Sequence, residues 1–344
     1  MKYLLGSPEQ FHNFVNSISP NDKVGIVTHT DLDGIASGIF LQKILESKNL
    51  NLSFIEFVDY GADALKYIPN KDYDKLFFTD WNVDEFPEDL DRIREKGDVL
   101  VLDHHPMNEN LANKNGIIKT ESKYCSSHAL FDLGKKYYNA KNLEWLVCSA
   151  ILLDYTFTED EVMNFVQSIY PEINKDNLWD SDMGKIARKI ANSLTYYKKD
   201  LRRVYELVLE EDFDSFEKAD RVIGDEIKRW VVKYKDEAEY YPKKNLYYLY
   251  ATPDYSITSA VVSIISNKEL PNDTLIFISD DLMNEGFVKM SARNQTEKIQ
   301  LGKILKKCVE DFEDSNAGGH DKAAAGGFPK KYLNLFKERL LEEL

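Results

Sequence analysis

Short apolar runs alternate with longer amphipathic stretches along the first half of the chain. "KVGIVT" (23–28), "LSFIEFV" (52–58), "KLFFT" (75–79) and "DVLVL" (98–102) have the length and the β-branched or aromatic content of strands. Between the first two, "GIASGIFLQKILES" reads as a helical segment. This strand-helix-strand rhythm predicts an α/β fold with a doubly wound, mainly parallel sheet. A further helix is predicted from Asn142 to Leu153. From Trp179 to Lys235 the pattern turns helical and highly charged with few Gly or Pro residues, which predicts a helical linker. A second strand-bearing unit begins near "KNLYYLYAT" and continues through "TLIFIS" and "GFVKMSAR". It closes with a Gly-rich turn, "NAGGHDKAAAGGF", and a C-terminal helix, "YLNLFKERLLEEL". The expected organisation is an α/β domain over residues 1–178, a helical linker over 179–240 and a smaller α/β domain over 241–344. No internal repeat or low-complexity tract is visible.

A chain of 344 residues accommodates two ordinary domains, each with its own core. Its apolar runs stop well short of the roughly 20 residues a membrane span needs, and "MKYLLGSPEQ" has no long apolar leader, so the expectation is a protein that is neither membrane-bound nor exported. Cys125, Cys148 and Cys308 are odd in number and unrelated in spacing, which suggests neither a disulfide framework nor a thiolate cage. A reducing cytoplasm is the simplest home. The formal charge of -15 argues against a large basic docking face for nucleic acid, although bound cations would offset part of it. "KKDLRR" (198–203) reads as a solvated helix face, and the tyrosine-rich segments "TYYKKD" and "EYYPKKNLYYLY" read as core and strand residues, with stacking along a single nucleic-acid strand as the alternative.

Charge changes the picture where the predicted strands end. "KVGIVT" is followed by His29, Asp31 and Asp33, "KLFFT" by Asp80, and "DVLVL" by Asp103, His104 and His105. Open parallel sheets hold their ligands beyond the carboxyl ends of the strands, so the three clusters are expected to converge. Asp154, where the apolar stretch "AILLDYT" meets a carboxylate, is a fourth candidate. Ionised carboxylates resist sharing a site without compensating charge. Divalent cations remove that conflict, and a set of carboxylates and imidazoles without thiolate suits manganese or magnesium, with zinc or cobalt as alternatives. There are ligands enough for two ions, and a two-metal site can activate water and stabilise the leaving oxygen of an in-line displacement at phosphorus. The chemistry expected is phosphoester hydrolysis.

"HTDLDGIASG", "TDWN", "LDHH" and "LLDYT" resemble, in order, the four motifs of the DHH phosphoesterase superfamily. The second unit resembles the DHH-associated substrate domain, with Gly318, Gly319 and His320 followed by Ala324, Ala325 and Gly326. The resemblance implies that His29, Asp31, Asp33, Asp80, His104 and Asp154 ligate two divalent ions, manganese first and magnesium or cobalt as alternatives, with Asp80 bridging. It also implies that Asp103 and His105 form the catalytic pair, Asp103 orienting an imidazole and His105 lying near the scissile phosphate. Arg293, Gly318, Gly319 and His320 would bind substrate, the glycines by close backbone approach to phosphate and Arg293 by a bidentate contact. His128 and His12 are set aside, the first as a packing or capping residue at a helix start and the second as exposed.

The resemblance implies a RecJ-like exonuclease that acts on single-stranded DNA or RNA and on short oligonucleotides, releasing mononucleotides. The alternative is a small-nucleotide phosphoesterase: a nano-RNase, a 3'-phosphoadenosine 5'-phosphate phosphatase or a dinucleotide phosphodiesterase. Single-stranded nucleic acid is the expected partner in the first case, and replication or repair proteins are further partners suggested by the family. A scaffold role is disfavoured because every acidic cluster is intact.

Overall fold

The computed structural model describes residues 1–59, 64–296 and 298–344, which form two compact units, Met1–Phe216 and Glu217–Leu344. The first unit carries strands β1 (Tyr3–Leu5), β2 (Val24–Thr28), β3 (Leu52–Phe57), β4 (Lys75–Thr79), β5 (Asp98–Asp103) and β6 (Ile117–Thr120). Its helices are α1 (Pro8–Asn16), α2 (Leu32–Ser47), α3 (Pro87–Arg94), α4 (Ser126–Gly134), α5 (Glu144–Leu153), α6 (Asp160–Ile169), α7 (Asp182–Tyr196) and α8 (Leu201–Glu210). The long helix α9 (Phe213–Glu237) starts in this unit and runs into the next.

The strands lie in the order β1-β6-β5-β4-β2-β3, all parallel except β1, which pairs antiparallel with β6. Alternate residues feed two separate apolar clusters, as the period of a strand requires. Ile26, Phe77, Leu100, Leu102 and Ile118 join one together with α1, α2, α4 and α5. Val27, Leu76, Phe78, Val99, Val101 and Ile117 join the other with α3. Helices therefore cover both faces of the sheet. Every residue of α2 from Leu32 to Leu41 is buried, which accounts for an apolar surface that runs all the way round the helix.

The chain moves from β2 outward to β3, then returns to place β4 on the other side of β2. The carboxyl ends of β2 and β4 thus form a topological switch point, where an open sheet leaves a crevice. Close packing holds the β2–α2 turn beside it. The Thr28 hydroxyl donates to the Gly34 carbonyl at 2.8 Å, and the Asp31 carboxylate caps α2 by accepting from the Gly34 N–H at 3.0 Å. A Cβ on Gly34 would lie 2.3 Å from the His29 carbonyl oxygen, closer than any side chain can sit.

The second unit has strands β7 (Glu239–Tyr241), β8 (Leu246–Tyr250), β9 (Thr274–Asp280), β10 (Phe287–Arg293), β11 (Asn316–Gly319) and β12 (Ala323–Pro329). Helices α10 (Thr258–Lys268), α11 (Leu301–Val309) and α12 (Leu333–Glu343) complete it. The sheet order is β11-β12-β10-β9-β8-β7, with only β8 and β9 parallel. The Gly-rich segment differs from its sequence reading: it is a β-hairpin, with Gly319 opposite Ala324, and not a turn. Its small residues leave no alternation of apolar and polar positions to mark strands. His12 also differs, being half-buried with Nδ1 2.9 Å from the Tyr137 hydroxyl. His128 is buried near the start of α4 with its ring 4.2 Å from that of Phe165.

Gly34→Ala is expected to destabilise the protein by about 1–3 kcal/mol, the usual cost of overpacking against a fixed backbone. It should also weaken divalent-cation binding, because the atom it displaces belongs to the backbone of His29. Chemical denaturation and calorimetric titration measure the two effects.

Candidate metal centre

Three loops and one helix end bring the acidic and imidazole side chains together. His29, Asp31 and Asp33 follow β2, and Asp80 follows β4 directly. Asp80 has φ of 54°, a left-handed conformation that Asp tolerates better than most residues and that turns the chain sharply at the strand end. Asp103 is the last residue of β5, with His104 and His105 next. Asp154 caps the C-terminus of α5, and Tyr155 after it, also left-handed with φ of 58°, ends that helix.

Donor atoms fall into three overlapping groups, each with its atoms within 4.8 Å of one another: His29, Asp31 and Asp80; Asp80, His104 and His105; Asp33, His104 and Asp154. Asp80 and His104 each belong to two groups. His29 Nδ1 lies 2.9 Å from Asp31 Oδ2 and 3.9 Å from Asp80 Oδ2. His104 Nε2 lies 3.4 Å from Asp80 Oδ1 and 4.0 Å from Asp33 Oδ2, and its Nδ1 is 4.0 Å from Asp154 Oδ2. His105 Nδ1 is 2.8 Å from Asp103 Oδ1.

These charges disturb one another strongly. Burial opposes a charge on His29, but Asp31 and Asp59 outweigh it and hold the imidazole up at about 10. Burial likewise acts on Asp31, yet the His29 contact brings its carboxyl down to about 2. Burial, then the neighbouring Asp33 and Asp31, pushes Asp80 well above the ordinary carboxylate range. Burial and Asp33 raise Asp154 to about 7. His104 is also raised, the carboxylates of Asp33, Asp154 and Asp103 prevailing over burial.

Cations fit this arrangement on two grounds. The buried atoms Asp80 Oδ2 and Asp154 Oδ2 have no hydrogen-bond partner. Such acceptors are costly to leave unmet. The donor set consists of carboxylate oxygens and imidazole nitrogens, and no cysteine joins any of the three groups.

Several supporting contacts were not apparent in the sequence. Asp33 accepts the backbone N–H groups of Ser126 and Ser127, each at 2.8 Å, and so caps α4 from 93 residues away. Asp59, after β3, lies 3.7 Å from His29 Nε2. Lys119 on β6 contacts Asp103 from behind at 2.6 Å. Backbone donors leave no trace in residue type, and a lysine in a four-residue strand reads as solvated.

The remaining candidates lie in the second unit. Arg293 ends β10 and is tied down by α10: Nε donates to Ser263 Oγ at 2.9 Å and Nη2 to Ser259 Oγ at 2.8 Å. Gly318 and Gly319 lie in β11, and the exposed His320 opens the hairpin turn, its N–H donating to the Ala323 carbonyl at 2.8 Å. Gly319 has φ of 127°, outside the reach of ordinary side chains. Ala292 pairs with Ala324 and Ala324 with Gly319, so Arg293 and the Gly-Gly-His turn share one end of the sheet. Two strand spacings, about 10 Å, separate them.

An α/β sheet with a carboxylate and imidazole centre at its switch point defines a class of metal-dependent hydrolases. Residues 23–151 match the DHH family, N-terminal domain, and residues 244–344 match the DHHA1 domain. The chain belongs to the DHH phosphoesterase superfamily. Among solved structures, RecJ in complex with Mn2+ from Thermus thermophilus is similar with a TM-score of 0.69 and 14% identity, over 97% of this chain and 53% of that one. The chain therefore spans about half the length of that RecJ. Another exonuclease RecJ, bound to manganese, has a TM-score of 0.70 at 14% identity, with 97% and 92% of the two chains covered. An exopolyphosphatase-related protein from Bacteroides fragilis has a TM-score of 0.56 at 16% identity, with coverage of 97% and 95%. Among curated proteins, none matches this sequence. No helix among the described residues is long and apolar enough to cross a membrane.

Cation binding must displace the protons that Asp154, Asp80, His104 and His29 hold in the metal-free protein. Adding Mn2+ or Mg2+ near neutral pH is expected to release protons, and affinity is expected to fall as pH drops from about 10, where His29 takes up its proton, and more steeply below about 7, where Asp154 becomes protonated. Asp154→Asn should bind more weakly and release fewer protons. Calorimetry in buffers of differing ionisation enthalpy measures both quantities.

Proposed function

We propose that this protein hydrolyses phosphodiesters as a RecJ-like exonuclease, acting on single-stranded DNA or RNA and on short oligonucleotides and releasing mononucleotides. The observation that carries the reading is the trio of overlapping carboxylate and imidazole groups, with its two unmet buried oxygens. In this reading His29, Asp31, Asp33, Asp80, His104 and Asp154 hold two divalent cations, manganese first, with Asp80 shared. The cations would supply Lewis-acid stabilisation and an activated water. His105, half-buried and oriented by Asp103, faces the scissile phosphate, where it contacts a non-bridging oxygen or passes a proton to the leaving oxygen. Arg293 and the Gly318-Gly319-His320 turn hold the phosphate of the terminal nucleotide. The contacts from Ser259 and Ser263 set the Arg293 guanidinium before substrate arrives, which reduces the entropy lost on binding.

The second reading is a small-nucleotide phosphoesterase, and the formal charge of -15 favours it because a long polyanion gains little from such a surface. Single strands of graded length in DNA and RNA versions, labelled at the 5' or the 3' end and incubated with Mn2+, separate the two. Progressive shortening of long strands is the expected outcome, and the label lost first gives the direction. Cleavage confined to the shortest substrates would transfer the assignment to the second reading. No cleavage with any divalent metal would refute both. Asp80→Asn is expected to lower turnover by more than the roughly 10–100-fold that loss of an outer partner costs a metal site.

A further inference from the structure

Lys119 is a wholly buried cation in the first unit that lies outside the metal centre. It stands within β6, a strand whose four residues are all buried. Its Nζ donates to Asn82 Oδ1 and to Asp103 Oδ2, each at 2.6 Å, and forms an ion pair with Asp84 Oδ1 at 2.7 Å. Asp84 and Asp103 are themselves completely buried. Burying a lysine with two carboxylates carries a desolvation cost that comparable apolar packing avoids, so net stability is a weak reason for the cluster.

Its location supplies a better reason. Asn82 and Asp84 stand in the segment that follows Asp80, and Asp103 ends the strand that delivers His104 and His105. The second oxygen of Asp84 accepts the Asn108 N–H at 2.9 Å, which fastens the chain beyond His105 to the same cluster. Asp103 is shared: Oδ2 faces Lys119 and Oδ1 lies 2.8 Å from His105 Nδ1. Lys119 Nζ also reaches the His105 carbonyl at 3.4 Å. The lysine thus restrains His105 through its side-chain partner and through its backbone.

We infer that Lys119 is a positioning residue: it clamps the Asp103 carboxylate so that the other oxygen holds the Nδ1–H of His105, which makes Nε2 the nitrogen through which His105 acts on the phosphate. The role of His105 rests on the function proposed above, whereas the clamp rests on the geometry alone. Without the ammonium, Asp103 can turn about its side-chain bonds, and the imidazole loses both its fixed ring plane and its fixed tautomer.

A double-mutant comparison in the full-length protein with Mn2+ tests this. Lys119→Met is expected to lower kcat by about 10–100-fold, the scale seen when partners that orient ligating side chains are lost. In a His105→Ala background the same change should alter kcat by less than about twofold, the scatter expected when one effect runs through the other. Equal losses in both backgrounds, or no loss in either, would overturn the proposal. If Lys119→Met does not fold, Lys119→Met combined with Asp84→Asn removes one buried carboxylate together with the lysine and carries the same comparison. Failure of both variants to fold would make the lysine a stability element and likewise overturn the inference. An independent readout is the His105 ring proton in histidine-labelled protein: Nδ1–H should be protected from exchange in the wild type and lose that protection in the variant. Unchanged protection would refute the clamp. If the wild type cleaves no phosphoester at all, the proposed function fails, while the ring-proton comparison still decides the role of Lys119.

Discussion

Mutual repulsion among the carboxylates of Asp31, Asp33, Asp80 and Asp154, gathered at one edge of a parallel sheet, is the constraint around which the first unit is arranged. Each carboxylate meets it differently. Asp31 is relieved by His29 and the first turn of α2, and Asp33 by two backbone N–H groups at the positive end of α4. His104 stands among Asp33, Asp80 and Asp154 as a shared counter-charge. Asp80 and Asp154 still keep an oxygen without a donor. A fold designed for stability alone would have no reason to leave this conflict half resolved, and residual strain of this kind is characteristic of places where ligands act.

How far sequence could anticipate this differs from element to element. β2, β3, β4 and β5 were legible because each is a run rich in apolar, β-branched or aromatic residues, and the polar residues at their ends stand out against that background. β1 and β6 were not. Each has no more than four residues, too few for any periodicity, and they pair with each other across more than a hundred residues of chain. Losing β6 from the reading also concealed Lys119, which stands on that strand and is wholly buried. The β11–β12 hairpin escaped for a different reason, since a strand of glycines and alanines has no side-chain alternation to detect.

The candidate ligands were legible by spacing, because alternate residues after a strand can turn toward one crevice. Their supports were mostly invisible. The N–H groups that Ser126 and Ser127 give Asp33 come from the backbone and would be the same for any residues but proline. In the second unit the serines that hold Arg293 lie on α10, a connection made by tertiary packing and not by local pattern.

The cap that Asp33 provides for α4 has an evolutionary consequence. This carboxylate is both a candidate ligand and the structural start of a buried helix, so a lineage that abandoned hydrolysis would still be under pressure to keep it. Asp80 and Asp154 are in the opposite position. Their unmet oxygens burden the fold whenever no cation is bound, so drift after loss of activity should erase them early. Among descendants of such a protein, an aspartate at position 33 would be a poor witness to catalysis, while aspartates at 80 and 154 would be good ones.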